Sequence, residues 1–228
     1  MKKTVSIACA VLMTLSFSAC NVLDNNSAED NSVIETIIST KNNLGNTESA
    51  ANAITAISKL KKSSTITISG DVTATDTANM RTALQKLSAS SPAITVTLDL
   101  TNAEFPKKTI PTSAFTNCPN LVGVLLPSTL VEIGKEAFKN TKLSSIKFPR
   151  KLATIGNGSF ENCTSLKSIT FDENIKTLDE KCFNICTSLT NITFKGTVAQ
   201  WSTVSKNASY NGSVPTTIIT CSDGITSF

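Results

Sequence analysis

The chain of 228 residues contains no histidine. That absence removes Ser-His-Asp and Cys-His catalysis and the usual histidine-ligated zinc enzymes. Aromatic residues are 5% of the chain, one tryptophan and one tyrosine beside ten phenylalanines, so the aromatic anchors typical of binding hot spots are scarce. Charge is modest at 17%, with 21 basic and 17 acidic side chains. Loss of residues 1–19 would remove Lys2 and Lys3 and no acid, leaving 19 bases against 17 acids. Such a balance is no electrostatic footprint for nucleic acid. Outside the first 20 residues no apolar stretch is long enough to span a bilayer. No phosphate loop or dinucleotide fingerprint occurs, and Gly156-Asn157-Gly158 is a lone Gly-x-Gly in a turn. Asp172-Glu173 and Asp179-Glu180 read as solvated turn residues rather than an acid/base pair. An enzyme, a metal site and a cofactor are therefore not expected.

What is present is a repeat. Ile110, Ile133, Ile155 and Leu178 stand 23, 22 and 23 residues apart, and Phe115, Phe138, Phe160 and Phe183 keep the same steps. Four further columns follow: Leu121, Leu143, Leu166, Leu189; Val124, Ile146, Ile169, Ile192; Leu126, Phe148, Phe171, Phe194; and Leu130, Leu152, Ile175, Val198. A fixed period of this size means a solenoid, whose units bury their apolar faces against one another. Within a unit, Ile169-Thr170-Phe171 alternates apolar and polar, the pattern of a short strand with one buried face. The segment 156–163 is a turn that drops Phe160 inward. Pro127 and Pro149 end their strands, because proline cannot donate to a ladder. Stacking predicts one parallel sheet, with turns and short helical pieces on the other side.

The pattern Ile-Gly-x-x-x-Phe-x-x-Cys-x-x-Leu-x-x-Ile-x-Phe, as it stands at Ile155 to Phe171, resembles the BspA-like (Treponema-type) leucine-rich repeat. The resemblance covers residues 94–198, and the tail from Phe194 through Trp201 to Gly224 is similar to the family's C-terminal cap. It implies an α/β leucine-rich-repeat solenoid in a secreted or surface-anchored bacterial protein that binds other macromolecules, and it implies no catalytic site. The second unit departs from the pattern: it is one residue short around Asn140-Thr141-Lys142 and lacks its neighbours' cysteine.

The N-terminus reads as a secretory leader, with Lys2 and Lys3 before an apolar run from Val5 to Leu15 and small residues before Cys20. It also resembles a lipoprotein signal, in which Cys20 is lipidated and holds the chain to a membrane; Phe17 departs from the usual aliphatic there, and a simpler cleavage is the alternative. The expected organisation is a leader at 1–19, a polar tether at 20–46, a capping unit at 47–109, repeats at 110–198 and a C-terminal cap at 199–228. The island at 33–38 is compatible with a strand or a helical turn. The capping unit reads as helix, strand, helix, strand: a helix from Thr47 through Leu60, alternation at 65–70, a helix capped by Thr75 or Asp76 with Met80, Leu84 and Leu87 on one face, and alternation at 94–100. A strand, crossover helix and parallel strand would cover the open end of the stack. At the far end, a short helix carries Trp201, a loop spans 206–215, and 216–220 is a closing strand.

Cys118, Cys163 and Cys186 share a column and Cys182 replaces a small residue, so these thiols are read as fillers of buried slots. Side chains that run parallel disfavour a Cys163–Cys186 bridge, and two thiols fall short of a zinc site. What remains for function is a surface. Outward strand positions are Gly123, Leu125 and Pro127; Ser145, Lys147 and Pro149; Ser168, Thr170 and Asp172; and Asn191, Thr193 and Lys195. Leu125, Lys147, Thr170, Asp172, Thr193 and Lys195 are the candidate contact residues. Five rungs give a patch of roughly 300 Å², against the ~800 Å² per partner of a standard interface. The expected partner is an extracellular or cell-surface protein, with membrane attachment through the lipid. The rival reading is a structural envelope component with no dedicated ligand.

Overall fold

The computed structural model describes residues 36–39, 55–207, 209–216 and 218–228. The leader, Cys20, most of the 20–46 tether and the start of the first helix lie outside the described residues. All described residues belong to one compact unit. Part of the island is a strand, β1 (Thr36–Ser39), parallel to β2 (Ser64–Asp71). A helical turn at 55–58 precedes β2 and buries Ile57. Helix α1 (Ala74–Ser90) then crosses to β3 (Val96–Glu104), which lies parallel to β2. The cap of α1 is Thr73 rather than Thr75 or Asp76. Thr73 accepts from the Asp76 N–H while the Asp76 carboxylate takes the Thr73 N–H, which satisfies two free helix-end donors reciprocally. Met80, Leu84 and Leu87 are buried as the periodicity predicts.

From β3 the chain coils. Long-side strands are β5 (Leu121–Leu125), β7 (Ser145–Lys147), β9 (Ser168–Phe171), β11 (Asn191–Phe194) and β13 (Ile218–Cys221); a hairpin strand, β14 (Gly224–Ser227), closes the end antiparallel. Strand β5 pairs with β3, and β7, β9, β11, β13 and β14 form a separate ladder. Lys142 and Ser144 donate to Leu121 and Val122 carbonyls across the gap between them. The shortened turn of the second unit lies at this gap. A further parallel ladder, not anticipated from the sequence, runs along another side of the coil. Its strands are two residues each: β4 (Thr109–Ile110), β6 (Glu132–Ile133), β8 (Thr154–Ile155), β10 (Thr177–Leu178) and β12 (Ser205–Lys206). Rungs approach closely here, since a Cβ on Gly134 would lie 2.6 Å from the Ile110 carbonyl oxygen.

The six columns are buried, except that Val198 is only partly so and opens helix α2 (Val198–Ser202). The turn phenylalanines stack face to face, with centroids 5.5, 5.3 and 5.5 Å apart along Phe115, Phe138, Phe160 and Phe183. Phe148 and Phe171 make a second stack at 5.3 Å, which Trp201 and Phe228 terminate. The turn side carries a directional bond pattern. Ser113, Phe115 and Asn117 donate N–H to the carbonyls of Lys135, Ala137 and Lys139 in the next rung, and each later rung repeats this. The first rung therefore presents unfilled acceptors. Gln85 of α1 donates to the Thr116 carbonyl in place of a preceding rung, and Arg81 donates to the nearby Ser113 carbonyl. The last presents unfilled donors, and Ser209, Tyr210 and Gly212 supply carbonyls to Lys181, Phe183 and Ile185. The expected loop at 206–215 is thus the turn of a fifth rung.

Each member of the cysteine column donates to a main-chain carbonyl. Cys163 and Cys186 donate to the carbonyls of Phe138 and Phe160 one rung earlier, at 3.2 Å each. In the second unit Thr141 fills the slot, buried, donating to the Phe138 carbonyl and touching the Cys163 sulfur. The five described cysteines are free.

Candidate functional site

Alternation along the long-side strands sends one set of side chains out in two rows. One runs Thr65, Thr97, Gly123, then Ser145, Ser168 and Asn191. The other runs Thr67, Asp99, Leu125, then Lys147, Thr170, Thr193, Thr220 and Ile225. The face therefore extends beyond the repeats on both sides. Eight strands of it, from β2 to β14, measure about 38 Å by 13 Å, or about 500 Å². Most of it is small and polar. Leu125 is 50% exposed, Ile218 53% and Ile225 67%, so apolar side chains sit toward the two ends of the face. Lys147 and Lys195 are exposed, and Thr170 and Thr193 are half-buried, as an outward position requires.

Asp172 is a correction: it is buried, 8% exposed, and is not an open contact. Pro127, at the equivalent position of the first unit, is buried too. The chain leaves the extended conformation at this point, so the two-residue alternation no longer applies. Asp172 is instead the centre of a charge cluster. Its carboxylate lies 2.7 Å from the Lys195 ammonium and 3.9 Å from Arg150 Nε, and accepts from the Glu173 N–H at 3.0 Å. Arg150 Nη2 also meets Glu173 at 2.7 Å. Burial pushes the Asp172 carboxyl up, but the Lys195 bond, the Glu173 N–H and the nearby Arg150 outweigh it and hold its pKa below the ordinary value.

Two depressions flank Arg150. One, of about 430 Å³, is lined by Lys147, Asp172, Glu173 and Lys195; the other, of about 410 Å³, by Leu126, Ser128 and Lys151. Lys147, Phe148, Pro149 and Arg150 belong to both. The structure thus brings together three of the six sequence candidates, Lys147, Asp172 and Lys195. Thr170 and Thr193 lie on the row beside them and Leu125 at the equivalent position one unit earlier. Arg150, Lys151 and Glu173 were missed. The signal was in the period: Pro149, Asp172 and Lys195 are 23 residues apart, and so are Arg150 and Glu173. Opposite charges one repeat apart meet across one rung.

A second groove, of about 400 Å³, lies along the turn side. Asn162 donates to Asn140 at 2.8 Å and Asn140 to Asn117 at 2.5 Å. All three have left-handed backbones, with φ of 57° to 59°, a conformation asparagine tolerates better than most residues. Among the described residues no group of His, Cys, Asp and Glu is arranged to hold a metal, and no helix is long and apolar enough to cross a membrane.

A model of the family described as "BspA type Leucine rich repeat region (6 copies)" matches residues 94–227. A comparison with curated proteins gives no match. Among solved structures, a leucine rich cell surface protein from Faecalibacterium prausnitzii A2-165 is similar at 26% identity and a TM-score of 0.42, over 50% of this chain and 29% of that one. A leucine-rich repeat protein from Bacteroides ovatus is 24% identical with a TM-score of 0.35, over 45% and 31% of the two chains. The T. pallidum Leucine Rich Repeat protein is 19% identical with a TM-score of 0.37, over 56% and 67%. The chain spans less than a third of the length of the first two.

Proposed function

Because the chain belongs to the BspA-type leucine-rich repeat family, we propose that it is an exported, membrane-anchored scaffold whose outer sheet face binds a macromolecule of a host or neighbouring cell. The observation that carries this reading is the division of labour in the fold. The repeat columns are spent on the interior, Val198 in part, while the outward rows form a face over two adjoining sheets whose side chains, the exposed Lys147 among them, are left for contact. The leader and Cys20 support export and anchoring. A face of about 500 Å² is smaller than the ~800 Å² of a standard interface. The scaffold therefore binds weakly per copy, and many copies on one membrane raise the avidity.

Two measurements test the reading. Mass spectrometry of the mature N-terminus should find a lipid-modified Cys20, and protease shaving of intact cells should remove the repeats. Survival of the repeats under shaving would instead favour the envelope-spacer reading. Pull-down of extracellular-matrix proteins should weaken when Leu125, Lys147, Thr170 and Thr193 are replaced together by serine, and unchanged capture would eliminate this face as the contact.

A further inference from the structure

Resting on that reading, we propose that the ridge formed by Pro149 and Arg150, with the depressions on either side, is the specific contact, and that it takes an acidic segment of a partner protein carrying at least one apolar side chain. Four cations surround the depressions: Lys147, Arg150, Lys151 and Lys195. Lys195 is engaged by Asp172. Lys147 and Lys151 make no ion pair among the described residues and stand exposed, Lys147 lining both depressions and Lys151 the second. Arg150, whose side chain is 74% exposed, uses Nη2 on Glu173. Its Nε lies 3.9 Å from Asp172, and a guanidinium so exposed keeps donors with which to take a further carboxylate. Its pairing with Glu173 is a rim contact, weak and readily exchanged.

The same geometry argues against an evenly charged linear polysaccharide. Asp172 and Glu173 sit in the middle of the cluster, between the rungs that carry Arg150 and Lys195, so a chain with an anion at every step meets like charge there. Protein carboxylates are discrete and can meet Lys147 and Lys151 on the preceding rung and skip that point. A polyanion also leaves unused the half-exposed Leu125, which stands at the position of Lys147 one unit earlier, and the Leu126 wall of the second depression. Asp172 is a positioning residue: buried between Arg150 and Lys195, it holds the Lys195 ammonium at 2.7 Å and lies 3.9 Å from Arg150 Nε.

The test is fluorescence anisotropy on the full chain with three probes: a twelve-residue Glu/Leu peptide, its Gln/Leu counterpart and a sulfated polysaccharide. The Glu/Leu peptide should bind, and lose affinity between low and physiological salt as screened charges require. K147Q combined with K151Q should weaken it roughly five- to tenfold, whereas K167Q, at the other end of its strand, should leave it unchanged. E173Q should strengthen binding by freeing Arg150, an outcome that misfolding cannot produce. A peptide that does not bind, equal binding of the Gln/Leu probe, indifference to K147Q with K151Q, weaker binding of E173Q, or preference for the polysaccharide would each overturn the proposal. The scaffold reading is judged separately, by shaving and by capture of whole proteins. Capture that depends on the outer face while the acidic peptide fails would remove this contact and leave the scaffold.

Discussion

Ile185 occupies a position its side chain does not suit. Its column is asparagine in the three preceding rungs, and all four residues have a left-handed backbone, with φ of 59° at Ile185. A β-branched residue there pays a steric penalty of roughly 1–2 kcal/mol, and Ile185 is 38% exposed, so burial offsets it only in part. Ile185→Asn should raise the melting temperature, with a gain of about 1 kcal/mol in chemical denaturation; a loss of stability would show that its apolar contacts outweigh the strain. The thiols make a second case. Burial drives the Cys118 thiol up to about 12 and that of Cys163 to about 11, and raises Cys182 and Cys186 as well. The thiolate is the reactive form. Native protein at pH 8 should therefore leave these four unlabelled by maleimide, read by peptide mass spectrometry, and label them once denatured.

At the scale of the element, the slot shared by Thr141 and the cysteines needs a small side chain that can donate. Thr141→Cys should be close to neutral, whereas Thr141→Val removes the donor to Phe138 and should cost about 1 kcal/mol in urea denaturation. The Arg150–Asp172–Lys195 cluster gives an acid-limb prediction. The Asp172 pKa is depressed in the folded state, so its contribution is present above the unfolded value of ~3.9 and is lost as pH falls through the folded value. Asp172→Asn should flatten that part of a melting-temperature profile between pH 2 and 5; an unchanged slope would assign it to other carboxylates, with Glu161, also depressed, the next candidate. The apolar columns were legible because identical buried slots demand similar residues at a fixed step. The ladder of two-residue strands was not, since strands such as Glu132–Ile133 are too short to show alternation. Asp172 was misplaced because alternation holds only while the backbone is extended, and Phe171 and Asp172 are buried in succession. The charge cluster was half legible: Lys147 follows from strand parity, Asp172 and Lys195 lie one residue past their strands, where extrapolated parity placed only Lys195 correctly, and Arg150 and Glu173 show themselves only when repeats are compared.

At the scale of the repeat stack, each rung touches its neighbours and little else, so stability is a sum of units and contacts between adjacent ones. Hydrogen exchange should follow that order. The Phe138 and Phe160 amides, bonded to Ser159 and Cys182 in the middle, should exchange slowest. Ile185 and Asn207, bonded at the far end to Gly212 and Leu178, should exchange sooner. Uniform protection throughout would mean that the rungs open only together. On the turn side the bonds point one way, donors forward and acceptors back, with Gln85 serving one end and the 209–212 carbonyls the other. A gene that duplicated 23 codons in frame would therefore insert a unit whose leading and trailing surfaces already match, and neither terminus would have to change. Lengthening the protein is a matter of copy number, and the width of its outer face is open to selection independently of its ends.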